Sequence, residues 1–535
     1  MSKRFRLTKA SKILIVFLIV ALIGGGVFTG LKTGFIKTKT AASSDAKENV
    51  VAANKGTSSD SGTPSSENST KKTDGDATIN LSLDEWTGWK SIIDGNQGLT
   101  TQPGSIYDKL GIKVNINIIN DATQSSNALI KGDLNAAGYT INRTAFLSQK
   151  FTDAGKEVVM PFITNYSNGG DGIIAKSSIQ SVNDLVGAKI GVPEFSEAQT
   201  LVVWFVNNSD LSDEQKSEII DNLVLFSTAD DTAKAFFAGQ VDVAATWEPY
   251  LTQAQNMTDA HVLFSTASST NLVMDGILFD KEFAEAHPDV VEKFIQGALE
   301  ASSMYDTEFD AVREVMPMFN TASDEDIIAS TKTAKLTTWK DNSDLLNGTA
   351  KTIYSDMCNV WTSIGESVNA SLVDAIFDDT YIDAIADNFN TTEVSNTETV
   401  KVTEENKQTI EDTQALLSGS ASVTFEKNTA KFSDSASASE ELDKFINIAK
   451  VLDGAIIEIA GNTDPNPNSD PLDEYNKKLS LQRAEAVKNY FIMNGISVDR
   501  IVVVGNGSSN PVVDNDTEEH RAMNRRTDVS FKIIE

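Results

Sequence analysis

Two stretches without apolar periodicity cut this chain into folding units. Residues 38–77 consist almost wholly of Ser, Thr, Lys, Asp, Asn, Gly and Ala, and residues 388–406 are rich in Thr, Glu and Asn. Neither stretch has enough apolar surface to offset the entropy of ordering it, so the first is read as a flexible tether and the second as a linker. Between them stand residues 78–387. A single core usually stops growing near ~250–300 residues, so this block is expected to fold as two lobes. A third unit, 420–535, follows the linker.

The central block alternates strand-like and helix-like segments. Strands are expected at 79–83, 112–119, 136–140, 172–175 and 190–193, and helices at 196–206 and 233–237, the first capped by Ser196. Alternation of this kind predicts parallel sheets with helical crossovers. In such folds a ligand sits between lobes at the carboxyl ends of strands. The loops placed there are 84–89, 139–142, 168–171, 194–199 and 246–248.

Trp86, Trp89 and Trp247 in these loops suit flat apolar or cation–π walls. Ser196 and the free amides of its helix suit an anionic head group. Glu248 or Asp84 suits a ligand amine, and Asp171 is a further candidate solute-binding residue. The plainer alternatives are that a Trp after a strand packs in the core and that a Ser at a helix start only caps it.

In the last unit, strands are expected at 423–425, 456–459, 501–504 and 528–533, and amphipathic helices at 440–452 and 479–494, a small α+β sandwich. Asp464 ends a strand and Arg483 lies early in the next helix, so an anion and a cation can face one ligand across a loop. A zwitterion suits that pair, because a guanidinium fork takes a carboxylate and a carboxylate takes an ammonium. The alternative is a structural ion pair.

The ordered motifs Gly461-Asn462-Thr463-Asp464, then Asn476, Leu479-Ser480, Arg483-Ala484 and Val487, then Asn524-Arg525-Arg526 resemble the OmpA-like peptidoglycan-binding domain. The resemblance implies that Asp464, Asn476, Arg483 and Arg525 bind peptidoglycan, with Asp464 and Arg483 gripping the diaminopimelate of its stem peptide. Two departures are visible. Asn462 stands where the family often has His, and the 465–471 loop is longer and richer in Pro.

The segments Asn183-Asp184-Leu185-Val186-Gly187-Ala188-Lys189-Ile190-Gly191-Val192-Pro193 and Gly239-Gln240-Val241-Asp242-Val243-Ala244-Ala245-Thr246-Trp247-Glu248-Pro249, with the helical pattern from His287 to Phe294, make the central block look like a type II periplasmic solute-binding protein. Its nearest style is the taurine, alkanesulfonate and nitrate group. That resemblance implies capture of a small organic solute for an ABC permease, without bond chemistry. Asp84-Glu85 in the first loop would repel an anion unless paired, which leaves an amine-bearing or zwitterionic solute open.

Lys3, Arg4, Arg6, Lys9 and Lys12 make residues 1–12 a basic cytoplasmic N-terminus and predict an exported remainder. The apolar run at 13–31 fits either a signal-peptide core or the ~17–25 residues that span a bilayer. Lys32, Lys37 and Lys39 intervene before Ala41-Ala42, which favours an uncleaved single-pass anchor. The expected location is therefore the cell membrane, with the bulk of the chain in the periplasm or cell wall.

The formal net charge of −31 argues against nucleic acid, which needs clustered Lys and Arg. One cysteine, Cys358, permits no internal disulfide, and His261, His287 and His520 lack metal-like spacing. Neither a cofactor nor an enzymatic activity is expected. The expected whole is a tethered solute-binding protein docked on peptidoglycan. The competing expectation is a wall-anchored scaffold or sensor with no transport role.

Overall fold

The computed structural model describes residues 77–269, 271–389, 400–426, 428–464 and 474–534. The expected basic terminus, apolar run and tether up to residue 76 lie outside the described residues, as does the 465–471 loop. Among the described residues no helix is long and apolar enough to cross a membrane.

The first lobe opens with β1 (Thr78–Leu83), β2 (Lys113–Ile118), β3 (Ala136–Thr140) and β4 (Val158–Ser167). β4 is buried at every position, as expected of a strand covered on both faces. The chain then crosses to a second lobe of β5 (Asp171–Lys176), β6 (Ile190–Pro193), β7 (Val224–Phe226), β8 (Val243–Trp247) and β9 (Ala260–Ser265). It returns as β10 (Met274–Asp280) and β11 (Ala334–Leu336), which complete the first sheet in the order β11-β4-β10-β3-β1-β2. The second sheet runs β7-β6-β8-β5-β9.

Neither sheet is wholly parallel, which corrects the sequence expectation. β1, β2 and β3 run parallel, as do β7, β6 and β8. β10 is antiparallel to both β3 and β4, and β5 to both β8 and β9. The antiparallel strands include those that carry the chain between lobes, and alternation of elements along the sequence does not record that reversal.

Three helices stitch the lobes: α1 (Ile141–Asp153), α2 (Glu197–Asn208) and α3 (Ala350–Ser363). At their meeting point Asn142 Nδ2 donates to Thr200 Oγ1 at 2.8 Å, and Trp361 Nε1 donates to the Asn142 carbonyl at 2.9 Å. Phe146 of α1 stacks on Phe195, just before α2, and packs at a tilt against Trp361 of α3.

The C-terminal unit is a four-stranded sheet, ordered β12-β15-β13-β14 from β12 (Leu417–Ala421), β13 (Ile456–Gly461), β14 (Ile501–Gly505) and β15 (Thr527–Lys532). Helices α4 (Ser435–Val451) and α5 (Glu474–Met493) accompany it. α5 lies so close to the sheet that a Cβ at Gly461 would meet the Ser480 carbonyl at 2.1 Å, so only glycine fits there. The strand expected at 423–425 is displaced. β12 lies upstream, and Phe425 makes only an isolated bridge to Phe432.

This unit touches the crossover from β9 to β10. Ser269 Oγ donates to the Val451 carbonyl at 2.6 Å, Asn271 Nδ2 to the Lys450 carbonyl at 3.0 Å, and Gly454 N to the Ser268 carbonyl at 3.1 Å.

Candidate functional site

The interlobe cleft is assembled by strand register. Asp275 pairs with Thr140 of β3 on one side and with Asn165 of β4 on the other, so these three side chains share one face of the first sheet. The Thr140 hydroxyl donates to Glu197 at 2.9 Å, and Trp86 Nε1 donates to Asn165 Oδ1 at 3.0 Å. That face therefore looks into the space between lobes. On the second sheet Asp171 pairs with Trp247. Gly170, beside Asp171, has no room for a Cβ, which would stand 2.8 Å from the Trp86 ring.

Asp84 follows β1 directly and accepts from Trp89 Nε1 at 2.6 Å. One cation faces the acidic groups, and it is already engaged. Arg143 holds Glu197 through Nε at 3.1 Å and Nη2 at 2.8 Å, a fork joining α1 of one lobe to α2 of the other.

Burial dominates the electrostatics. It pushes the Asp171 carboxyl up to about 7 and the Asp275 carboxyl well above the carboxylate range, with the charges of Asp84, Glu197 and Asp171 adding to the latter. Asp84 is raised as well, by desolvation that the Trp89 hydrogen bond and Arg143 only partly oppose. Its side chain still meets solvent, so its ionised form is penalised less than that of Asp275, which is 3% exposed. For Glu197 the burial penalty is outweighed by Arg143, and its pKa falls below the ordinary value.

Trp86 and Asp171 lie in this cleft, and Trp247 stands beside it, 38% exposed. Trp89 is 1% exposed and reaches the cleft only through its bond to Asp84. Ser196 is committed locally: its hydroxyl accepts from Gln199 N at 3.2 Å and donates to the Pro193 carbonyl at 2.7 Å. Glu248 accepts from Thr252 N and Oγ1, capping its own short helix. Asp275, Arg143, Glu197 and Asn165 were not singled out in the sequence. The available signal was one Asp inside the apolar run from Leu272 to Phe279.

The second site lies at the end of β13. Asp464 accepts from Arg525 Nη1 at 3.1 Å, and Arg525 Nη2 reaches Glu518 at 2.7 Å. Arg483, on α5, lies over the Phe425 ring at 5.0 Å and donates through Nε to the Thr429 carbonyl at 3.2 Å. Burial lowers its pKa against the opposing pull of Asp464. Asp464 is thus paired with Arg525, and Arg483 is 7% exposed with no carboxylate bonded to it among the described residues. Asn476 lies seven residues before Arg483, two helical turns and so the same face, and its Nδ2 is buried without a partner. Thr463 Oγ1 and Ser508 Oγ are likewise unsatisfied. Asn462 does not join them, since it bonds Asp528 and Asn506.

Among the described residues no three His, Cys, Asp or Glu side chains are arranged to hold a metal ion.

Comparison with known proteins agrees with this division. Residues 105–305 match the family described as NMT1/THI5 like, and residues 424–525 match the OmpA family. The C-terminal region is 47% identical over 76 residues to outer membrane porin F of Pseudomonas fluorescens, covering 14% of this chain and 22% of that protein. It is 39% identical over 90 residues to the peptidoglycan-binding protein ArfA of Mycobacterium bovis, covering 17% and 26%. The chain therefore spans only about a quarter of the length of these relatives. The periplasmic aliphatic sulphonate binding protein SsuA from Escherichia coli aligns over 57% of this chain and 98% of its own, with 15% identity and a TM-score of 0.44. The chain joins a region that matches the NMT1/THI5-like family to a C-terminal region that matches the OmpA family.

Proposed function

We propose that the protein is an extracytoplasmic receptor that captures a small organic solute in the interlobe cleft, hands it to an ABC permease, and is held at the cell surface by the 13–31 segment and at the wall by its C-terminal domain. The observation that carries this reading is the convergence of charged and aromatic side chains from both lobes on one space: Asp84, Trp86, Arg143 and Asp275 from the first, Asp171, Glu197 and Trp247 from the second. A cleft so lined changes its tryptophan environment when lobes close on a solute. In the C-terminal domain, Arg483 and Asp464 take the two ends of a diaminopimelate, while Asn476 and Arg525 bond the adjoining stem peptide.

Two measurements on the full chain test this reading. Intrinsic fluorescence should shift saturably with a cleft solute, and the protein should sediment with purified peptidoglycan. Failure of the first removes the capture role, and failure of the second removes the wall role. Protease added to spheroplasts should reach both domains, and protection there would reverse the topology.

A second reading, a wall-anchored sensor, is favoured by one observation: the C-terminal domain bonds the β9–β10 crossover that joins the two lobes. Soluble muropeptide should then slow amide exchange across 266–269, since coupling between sites is reciprocal. Unchanged exchange would eliminate it.

A further inference from the structure

A solute entering the cleft meets four carboxyl groups and one guanidinium. Resting on the reading of this cleft as the solute site, the geometry points to a small organic cation, an ammonium or protonated amine on an apolar body, held by Asp84, Asp171 and Asp275 against the Trp86 and Trp247 indoles.

Three observations lead there. First, the positions that would serve an anion are occupied by the protein itself. The Arg143 fork is closed on Glu197, and the first turn of α2 already carries that Glu197 carboxylate, which also accepts from Thr140. Ser196, at the same helix start, spends its hydroxyl on Gln199 N and the Pro193 carbonyl. An added sulfonate or nitrate would find no uncommitted cation and would face Asp84, Asp171 and Asp275.

Second, those three aspartates form no ion pair with any Lys, Arg or His among the described residues. Asp275 is the most telling. Its side chain is more than nine-tenths buried, its register with Thr140 and Asn165 turns it into the cleft, and the polar group beside it is the neutral Trp86 indole. A buried carboxylate without a counter-charge is strongly unfavourable, and a cation arriving from solvent supplies the missing charge. Third, the surroundings suit an organic cation better than a bare metal ion. The carboxyl groups do not cluster as metal ligands, and the indoles of Trp86 and Trp247 present apolar faces to a ligand body.

Capture is then coupled to protons. Burial holds the Asp275 carboxyl well above its ordinary range and pushes Asp171 up to about 7, with Asp84, Glu197, Arg143, Tyr139 and Tyr305 as the surrounding ionisable groups. A cation entering the cleft favours the ionised aspartates, so binding releases protons and strengthens as pH rises.

Calorimetry of the full chain tests this with choline, putrescine and benzylamine as cation probes and methanesulfonate and nitrate as anion probes. The expected result is saturable binding of at least one ammonium. Its heat should vary with buffer ionisation enthalpy, and its affinity should rise between about pH 5 and about pH 8. Asp275→Asn and Asp171→Asn should each weaken it by about tenfold or more, the scale of a lost charge-assisted hydrogen bond. Should Asp275→Asn fail to melt cooperatively, Asp171→Asn and Asp84→Asn, on other strands, carry the test. Binding of an anion probe but no ammonium overturns the cation class while leaving capture intact. An ammonium that binds wild type and all folded Asp→Asn variants alike overturns the site. No response to a probe of either sign overturns the capture reading beneath it.

Discussion

In the cleft an arginine is used up: Arg143 closes on Glu197 across the two lobes, and among the described residues three aspartates form no ion pair. In the C-terminal pocket Arg525 is the one used up, between Asp464 and Glu518, and among the described residues Arg483 bonds a backbone carbonyl and lies over an aromatic ring without an ion pair. Each site pairs part of its charge internally and leaves a remainder of one sign. The remainder, rather than the total charge of −31, indicates what each site attracts. Buried or half-buried charge that the fold does not compensate has to be compensated by a ligand or lost by proton transfer.

Four substitutions would break or sharpen that contrast. The largest effect is expected at Arg483→Ala, which removes the uncommitted cation of the C-terminal pocket and should lower sedimentation of the full chain with diaminopimelate-type peptidoglycan by more than about a hundredfold. Its melting temperature should hardly change. Wild-type pull-down by this variant would show that Arg483 is not the gripping residue.

Next comes Glu197→Gln, which leaves the Arg143 guanidinium without its partner. Both side chains are mostly buried, so thermal or urea unfolding should show a loss of about 2–3 kcal/mol. A neutral result would mean that the fork contributes nothing to holding the lobes together.

Asp171→Asn should act in the opposite direction, and only at high pH. Burial raises the native pKa to about 7, while an unfolded aspartate titrates near ~4. The native state therefore holds the extra proton between those values. This contribution to stability is complete below about pH 4 and is lost as pH rises through about 7. Melting curves should show the variant and wild type alike at about pH 4 and the variant more stable at about pH 8, by about 2 kcal/mol or more. Equal stability at both values would place Asp171 in a better solvated setting.

The smallest effect is expected at Trp247→Ala. This indole is more than a third exposed, so its loss should barely change unfolding yet weaken a cleft ligand by about 1 kcal/mol or more. Unchanged affinity would leave Trp86 as the aromatic wall.

How much of each site was legible follows from how it is built. In the C-terminal unit Asp464, Asn476, Arg483 and Arg525 stand out because they lie in short ordered motifs that resemble the OmpA-like domain. Even there the partner of Asp464 was not readable, because Arg525 is 61 residues away. β12 was missed for a related reason. Leu-Ser-Gly-Ser-Ala has little strand propensity, and its pairing with β15 along five residues makes it a strand.

The cleft is the opposite case. Trp86 and Trp247 were visible as aromatics after strands, but Ser196 and Glu248 turned out to spend their oxygens on neighbouring backbone. Asp275 looked like a polar interruption in an apolar strand. Its role appears only when β10 runs back antiparallel between β3 and β4, placing it beside Thr140 and Asn165.

By itself the sequence determined the alternation of strands and helices in the two-lobed block and the presence of an α+β C-terminal unit, since periodicity, capping and turn chemistry act over a few residues. Only the tertiary structure decided which strands run antiparallel, which arginine closes on which carboxylate, and which aspartates are left over. Those outcomes depend on contacts between segments far apart in the chain, 54 and 61 residues for the two arginine–carboxylate pairs, and on burial, a property of the packed chain rather than of any stretch of it.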